Sequence, residues 1–181
     1  LDSIINKGGE SAKKEGNSAT FKVGNMLELP YSEKTFQGVI CIGNSLVHIL
    51  DEKEILKALQ EMYRVLTNNG VLILQTVNYD RILKDNVTEL PTIENEAAGV
   101  KFKRDYTFRK DGNIDFTGTF ILEKDGKVTE TVNTVVLKPL VKGRLNSFLL
   151  DAGFKNIKYY GNFKGEDWDE KSFATIVEAS K

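Results

Sequence analysis

Three polar clusters, each following an apolar run, hold the residue types that could do chemistry in this chain. Asn25 follows Phe21-Lys22-Val23, Gly43-Asn44-Ser45 follows Val39-Ile40-Cys41-Ile42, and Asn78-Tyr79 follows a run containing Val71-Leu72-Ile73-Leu74. A glycine in such a place lets the backbone approach a ligand closely. An Asn side chain can accept a hydrogen bond through its oxygen, or serve the turn in which it stands. His48 is the only histidine. It can take up a proton near neutral pH, or act as a hydrogen-bonding group where the chain approaches a helix. One Cys and one His cannot make an ordinary zinc site, so no metal is expected.

These clusters need a frame. The runs Val39–Ile42 and Val71–Leu74 lack polar alternation, as suits strands buried on both faces of a helix-covered parallel sheet. Between them Asp51 can cap a helix, and Glu54 completes a capping-box pattern. Ile55, Leu56, Leu59, Met62, Tyr63 and Leu66 then recur at helical spacing. Thr67-Asn68-Asn69-Gly70 stops the helix, with Gly70 expected in the left-handed conformation. Strand, helix and strand form a βαβ unit with a right-handed crossover. Ligands of such sheets bind beyond the carboxyl ends of the strands, at Gly43-Asn44-Ser45 and Asn78-Tyr79.

Residues 1–16 read as a helix capped by Asp2 or Ser3, weakened by Gly8-Gly9 and ended by Gly16. Phe21–Val23 reads as a short strand. Arg81 is expected to pair with a local acid. Residues 84–99, with Pro91 and Gly99, read as a long polar loop of lid or entrance type. From Val100 to Leu137 the period is two. Phe102, Arg104, Tyr106 and Phe108 share one face, and Ile114, Phe116, Gly118, Phe120 and Leu122 share another, with turns at Lys110–Asn113 and Lys124-Asp125-Gly126. A helix over Arg144–Ala152, closed by Gly153, leads to strands at Phe154–Tyr160 and Phe173–Ala179.

The chain has 181 residues, 40% hydrophobic and 28% charged, which fits one globular unit. A formal net charge of −1 gives no electrostatic case for nucleic acid. The single cysteine, Cys41, excludes an internal disulfide and reads as a small core hydrophobe. With no membrane span and no secretory leader visible, a cytoplasmic protein is expected.

The ordered set GNMLELP, CIGNSLVH and EMYRVLTNNGVLILQTVNYDR resembles class I S-adenosylmethionine-dependent methyltransferases, in particular glycine and sarcosine N-methyltransferases. The resemblance implies an α/β fold. It would be a Rossmann-like sheet, N-terminally incomplete, with an inserted antiparallel meander. The core would be residues 1–99 and 138–181, and the meander at 100–137 a substrate cap. It also implies S-adenosylmethionine as cofactor and a small-molecule methyl acceptor. Asn25, Met26 and Leu27 would then lie about the adenine, and Gly43, Asn44 and His48 beside the sulfonium. Asn78, Tyr79, Arg104 and Tyr106 would face the acceptor, with Arg104 and Tyr106 holding a carboxylate or Arg104 engaged in an ion pair. Asp2 is a ribose ligand or a helix cap. His48 is the one candidate for proton removal. The family sheet has the order 3-2-1-4-5-7-6, and its first two strands have no counterpart in this sequence. That leaves an open edge on which a longer form of the protein, or a second copy, could pair. The alternatives are a non-catalytic methyltransferase-like subunit assembling through that edge and a nucleotide-binding oxidoreductase on a Rossmann-like sheet.

Overall fold

A computed structural model describes residues 2–124 and 126–181, the side chains of residues 2–4 excepted. The roles expected of Asp2 and Ser3 lie outside the described residues. The turn at Lys124-Asp125-Gly126 is described only at its flanks.

Helix α1 (Asp2–Lys14) runs through Gly8-Gly9. Those glycines make room for Phe21, since a Cβ on Gly8 would stand 3.0 Å from its ring. Phe21–Val23 is not the expected strand. No described strand lies beside it to complete a ladder, and Phe21 and Val23 are both exposed. Asn25 instead opens a tight turn, accepting from the Leu27 N–H on its side chain (2.9 Å) and from the Glu28 N–H on its carbonyl (3.1 Å).

The loop that follows is pinned to helix α2 (Glu52–Val65) by a Glu61–Arg64 pair. Glu61 accepts from the Leu29 N–H at 2.8 Å, and Arg64 donates to the carbonyls of Tyr31 and Leu29. The Arg64 guanidinium, and secondarily the Leu29 N–H, hold the Glu61 carboxyl down at about 2. As the sequence implies, Asp51 caps α2, accepting from the N–H groups of Lys53 and Glu54.

Strand β1 (Phe36–Cys41) pairs in parallel with β2 (Leu66–Val77), Ile40 lying opposite Ile73 and Cys41 opposite Leu74. On the other side β2 pairs antiparallel with β8 (Ala174–Ser180), and β8 with β7 (Lys155–Tyr160), giving the order β1-β2-β8-β7. This reproduces the last four places of the order that the resemblance implies, with β1 at an edge. Helix α2 and helix α4 (Lys142–Asp151) bury their apolar faces with Leu72, Leu74, Val177 and Ala179 in one core. The expectation of strands buried on both faces fails, because burial along β2 alternates and Ile40 is 70% exposed. Among the described residues, nothing covers the Ile40–Ile42 face. Cys41, on the covered side, is half-buried, and burial pushes its thiol up.

Gly70 is not the left-handed residue; Asn69 is, at φ 63°. Gly70 answers to crowding instead, since a Cβ there would lie 2.9 Å from the Thr67 carbonyl and 3.2 Å from that of Gln37.

After the short helix α3 (Tyr79–Lys84), residues 84–99 are not the expected irregular loop. They hold strand β3 (Glu89–Asn95) and a single 3-10 turn at Glu96–Ala98. β3 is the edge of a second antiparallel sheet, order β3-β4-β5-β6, with β4 at Val100–Phe108, β5 at Ile114–Lys124 and β6 at Lys127–Leu137. The register slips between Leu90 and Ile93, around Pro91, which an edge strand tolerates. Tyr106, Ile114 and Leu137 anchor this sheet in the common core. No described helix is long and apolar enough to cross a membrane.

Candidate active site

The polar turns after β1 and β2 meet. Asn44 lies in the left-handed conformation (φ 61°), which Asn tolerates better than most residues. Its amide nitrogen donates to the Tyr79 hydroxyl (2.9 Å), and its side-chain oxygen accepts from the Val77 N–H (3.0 Å). One side chain thus ties the turn after β1 to the end of the neighbouring parallel strand. Ser45 Oγ donates back to the Ile42 carbonyl at 2.7 Å, and the Gly43 N–H donates to Gln75 Oε1 at 2.8 Å. Gly43 has a φ of 74°, and nothing lies within 4 Å of where its Cβ would be, so a ligand can come up against the backbone there.

Beyond this rim, a single 3-10 turn (Leu46–His48) buries Leu46 and Val47 and leaves His48 exposed. The Lys138 N–H donates to the Val47 carbonyl (2.8 Å), which brings the end of β6 against the rim. Between rim and second sheet lies a cleft of about 370 Å³. Gly43, Asn44 and His48 line it from one side, and Leu90, Arg104, Tyr106, Phe116, Asn133 and Val135 from the other. Among the described lining residues there is no Asp or Glu. Arg104 donates one terminal nitrogen to the Pro91 carbonyl (2.6 Å), while its Nε is buried without a partner. It forms no ion pair among the described residues, which sets aside that alternative. Tyr106 is 4% exposed; burial pushes its hydroxyl up, against an opposing pull from Arg104 and Arg81.

Two residues expected to face an acceptor do not line the cleft. Asn78 is fully buried and caps α3, its oxygen accepting from the Arg81 N–H at 3.3 Å. Its nitrogen donates to the carbonyls of Ser172 (2.9 Å) and Asp169 (3.2 Å), clasping the β7–β8 loop. Tyr79 is fully buried as well, and its role is to hold Asn44; burial pushes its hydroxyl well above the ordinary tyrosine range. Buried polar groups must spend their donors and acceptors on protein groups, which turns both residues inward. Among the described residues Arg81 has no acidic partner; its guanidinium lies 4.7 Å from the centre of the Phe173 ring.

Asn25 is exposed and its side-chain oxygen serves its own turn, while Met26 and Leu27 pack against the core. Asn133 was not among the expected residues. Its sign in the sequence is parity, since it stands two and four residues before Val135 and Leu137 and so shares their inward face.

Comparison with known proteins agrees with this geometry. A family model described as a methyltransferase domain matches residues 2–70. The glycine/sarcosine N-methyltransferase of Aphanothece halophytica is 33% identical over 132 residues, covering 73% of this chain and 46% of that protein. That of Halorhodospira halochloris is 32% identical over 145 residues, covering 79% and 51%. The chain therefore spans about half the length of these curated relatives. In fold, an S-adenosylmethionine-dependent methyltransferase from Clostridium acetobutylicum superposes with a TM-score of 0.84 at 12% identity, covering 99% of this chain and 72% of that one. The CcbJ methyltransferase from Streptomyces caelestis gives 0.81 at 16% identity, covering 97% and 70%. Sheet order and structural likeness together show the Rossmann-like fold of class I S-adenosylmethionine-dependent methyltransferases, and the sequence is similar to the glycine/sarcosine N-methyltransferases.

Proposed function

We propose that this chain forms the acceptor side of an S-adenosylmethionine-dependent methyltransferase, and that its acceptor is a small molecule carrying an amino nitrogen and a carboxylate. The observation that carries the reading is the Asn44 clasp, which fixes Gly43 and Asn44 at the mouth of a cleft whose opposite wall bears Arg104. The relatives named as glycine/sarcosine N-methyltransferases support the choice of acceptor class.

The open backbone at Gly43 suits close approach of the cofactor's methionine part, and Asn44 and His48 stand beside it. When bound, the cofactor supplies an electrophilic methyl group on a sulfonium. In-line displacement at that carbon needs alignment above all. Transfer to the acceptor nitrogen would leave S-adenosylhomocysteine and a proton, and what this chain's residues would supply is the alignment and the path for that proton. Arg104 would hold the acceptor by its carboxylate. Tyr106, Phe116 and Val135 exclude water around the nitrogen. His48, exposed at the cleft wall, is placed to pass the released proton to solvent.

Calorimetric titration with S-adenosylhomocysteine, on this chain and on any longer form containing it, tests the cofactor half. Mass-spectrometric detection of methyl transfer to glycine and sarcosine tests the acceptor half. Binding, with transfer reduced at least tenfold by Arg104→Met, is expected. No binding by either form would overturn the reading in favour of a non-catalytic subunit.

A further inference from the structure

We propose that Asn133 is an acceptor-specificity residue: together with Arg104, across the Phe102 ring seated on Gly118, it selects a carboxylate that carries a neighbouring hydrogen-bonding group. The inference rests on the acceptor-cleft reading above and names a determinant within it.

Arg104, Gly118 and Asn133 stand in one cross-strand row, Arg104 opposite Gly118 on β4 and β5 and Gly118 opposite Asn133 on β5 and β6. Adjacent strands lie about 4.8 Å apart, so the outer two residues start about 10 Å apart. Glycine in the middle carries no side chain of its own, and the Phe102 ring fills that place, 2.9 Å from where a Cβ on Gly118 would stand. The row thus presents a cation at one end, an amide at the other and an apolar floor between. Its span suits a small amino acid.

The two ends differ in what they can read. Arg104 keeps a buried Nε without a partner. Asn133 makes no side-chain hydrogen bond among the described residues, although its amide can donate and accept. Asn disfavours strands, yet this one sits inside an eleven-residue strand, with Val132 on one side and Thr134 on the other. An amide also leaves the Arg104 charge intact, where a carboxylate at the same place would neutralise it and close the site to anions.

The test compares acetate, which offers only a carboxylate, with glycine, which adds an amino group. Both are titrated into the full chain with S-adenosylhomocysteine present. Wild type is expected to bind glycine more tightly than acetate. Asn133→Ala should weaken glycine about 5–10-fold, the effect of one lost hydrogen bond, and leave acetate within about twofold. Asn133→Asp should weaken acetate at least tenfold, and Asn133→Gln should recover part of the glycine preference. A urea midpoint for each variant controls for folding. Equal weakening of both probes by Asn133→Ala, no weakening of either, or a wild type without glycine preference overturns the proposal. Loss of S-adenosylhomocysteine binding with the glycine preference intact overturns the methyl-transfer reading instead.

Discussion

Asn44→Ala is the sharpest probe of the rim. It removes the donor to Tyr79 and the acceptor of the Val77 N–H, two bonds of 2.9 and 3.0 Å in half-buried surroundings. Each lost bond costs about 1 kcal/mol. Alanine at a φ of 61° adds about 1 kcal/mol that Asn largely avoids. The expected loss is about 3 kcal/mol, which for a chain of this size lowers the melting temperature by about 6–12 °C. Tyr79→Phe should cost about 1 kcal/mol, and the two together less than their sum by about 1 kcal/mol, because they share a bond. Asn44→Asp makes the complementary case. Its carboxylate still accepts from Val77, and the Tyr79 hydroxyl can turn to donate to it, so stability should stay within about 1 kcal/mol of wild type. Urea unfolding of the four variants measures all of this. Strict additivity of Asn44→Ala and Tyr79→Phe, or a loss below about 0.5 kcal/mol for Asn44→Ala, would refute the clasp. Because burial holds the Tyr79 hydroxyl protonated, the clasp should not titrate between pH 6 and about 9.

Asn78→Ala strips a cap from α3 and the hold on the β7–β8 loop, and should cost about 2–4 kcal/mol while speeding limited proteolysis near residues 165–172. Glu61 has a folded-state pKa of about 2 against an unfolded value near 4.3, so its contribution is complete above about pH 5 and is lost as pH falls toward 2. Arg64 is one-third exposed, which limits that contribution to about 1–2 kcal/mol. The stability difference between wild type and Glu61→Gln, followed from pH 7 to pH 2.5, should shrink by that amount. Asp51→Ala should cost about 1 kcal/mol in thermal unfolding through loss of the α2 cap.

What the sequence reveals here depends on how local the cause is. The Asp51 cap, the α2 face, the parallel pair and the turn at Gly112 follow from neighbouring residues, and they stand where the pattern puts them. Strand β3 was hidden by Pro91, whose place on an edge is a fact of pairing rather than of composition. Phe21–Val23 has strand-forming residues but no described partner, and pairing partners are not written in a tripeptide. Among the residues lining the cleft, Gly43, Asn44, Arg104 and Tyr106 could be anticipated from strand ends and face parity, and His48 from the resemblance. Asn78 and Tyr79 could not be placed, since whether a polar group turns inward depends on carbonyls from Asp169 and Ser172, far along the chain.

The second sheet divides its labour along the length of its strands. Tyr106, Ile114 and Leu137 are sunk in the core, whereas Arg104 and Asn133, further out on the same face, lie outside it. Replacements at the inboard rungs should therefore cost stability, whereas those at Arg104 and Asn133 should, on the proposed reading, act chiefly on acceptor choice. On that reading, a lineage could change Arg104 or Asn133 and so its acceptor, while the inboard rungs keep the sheet docked.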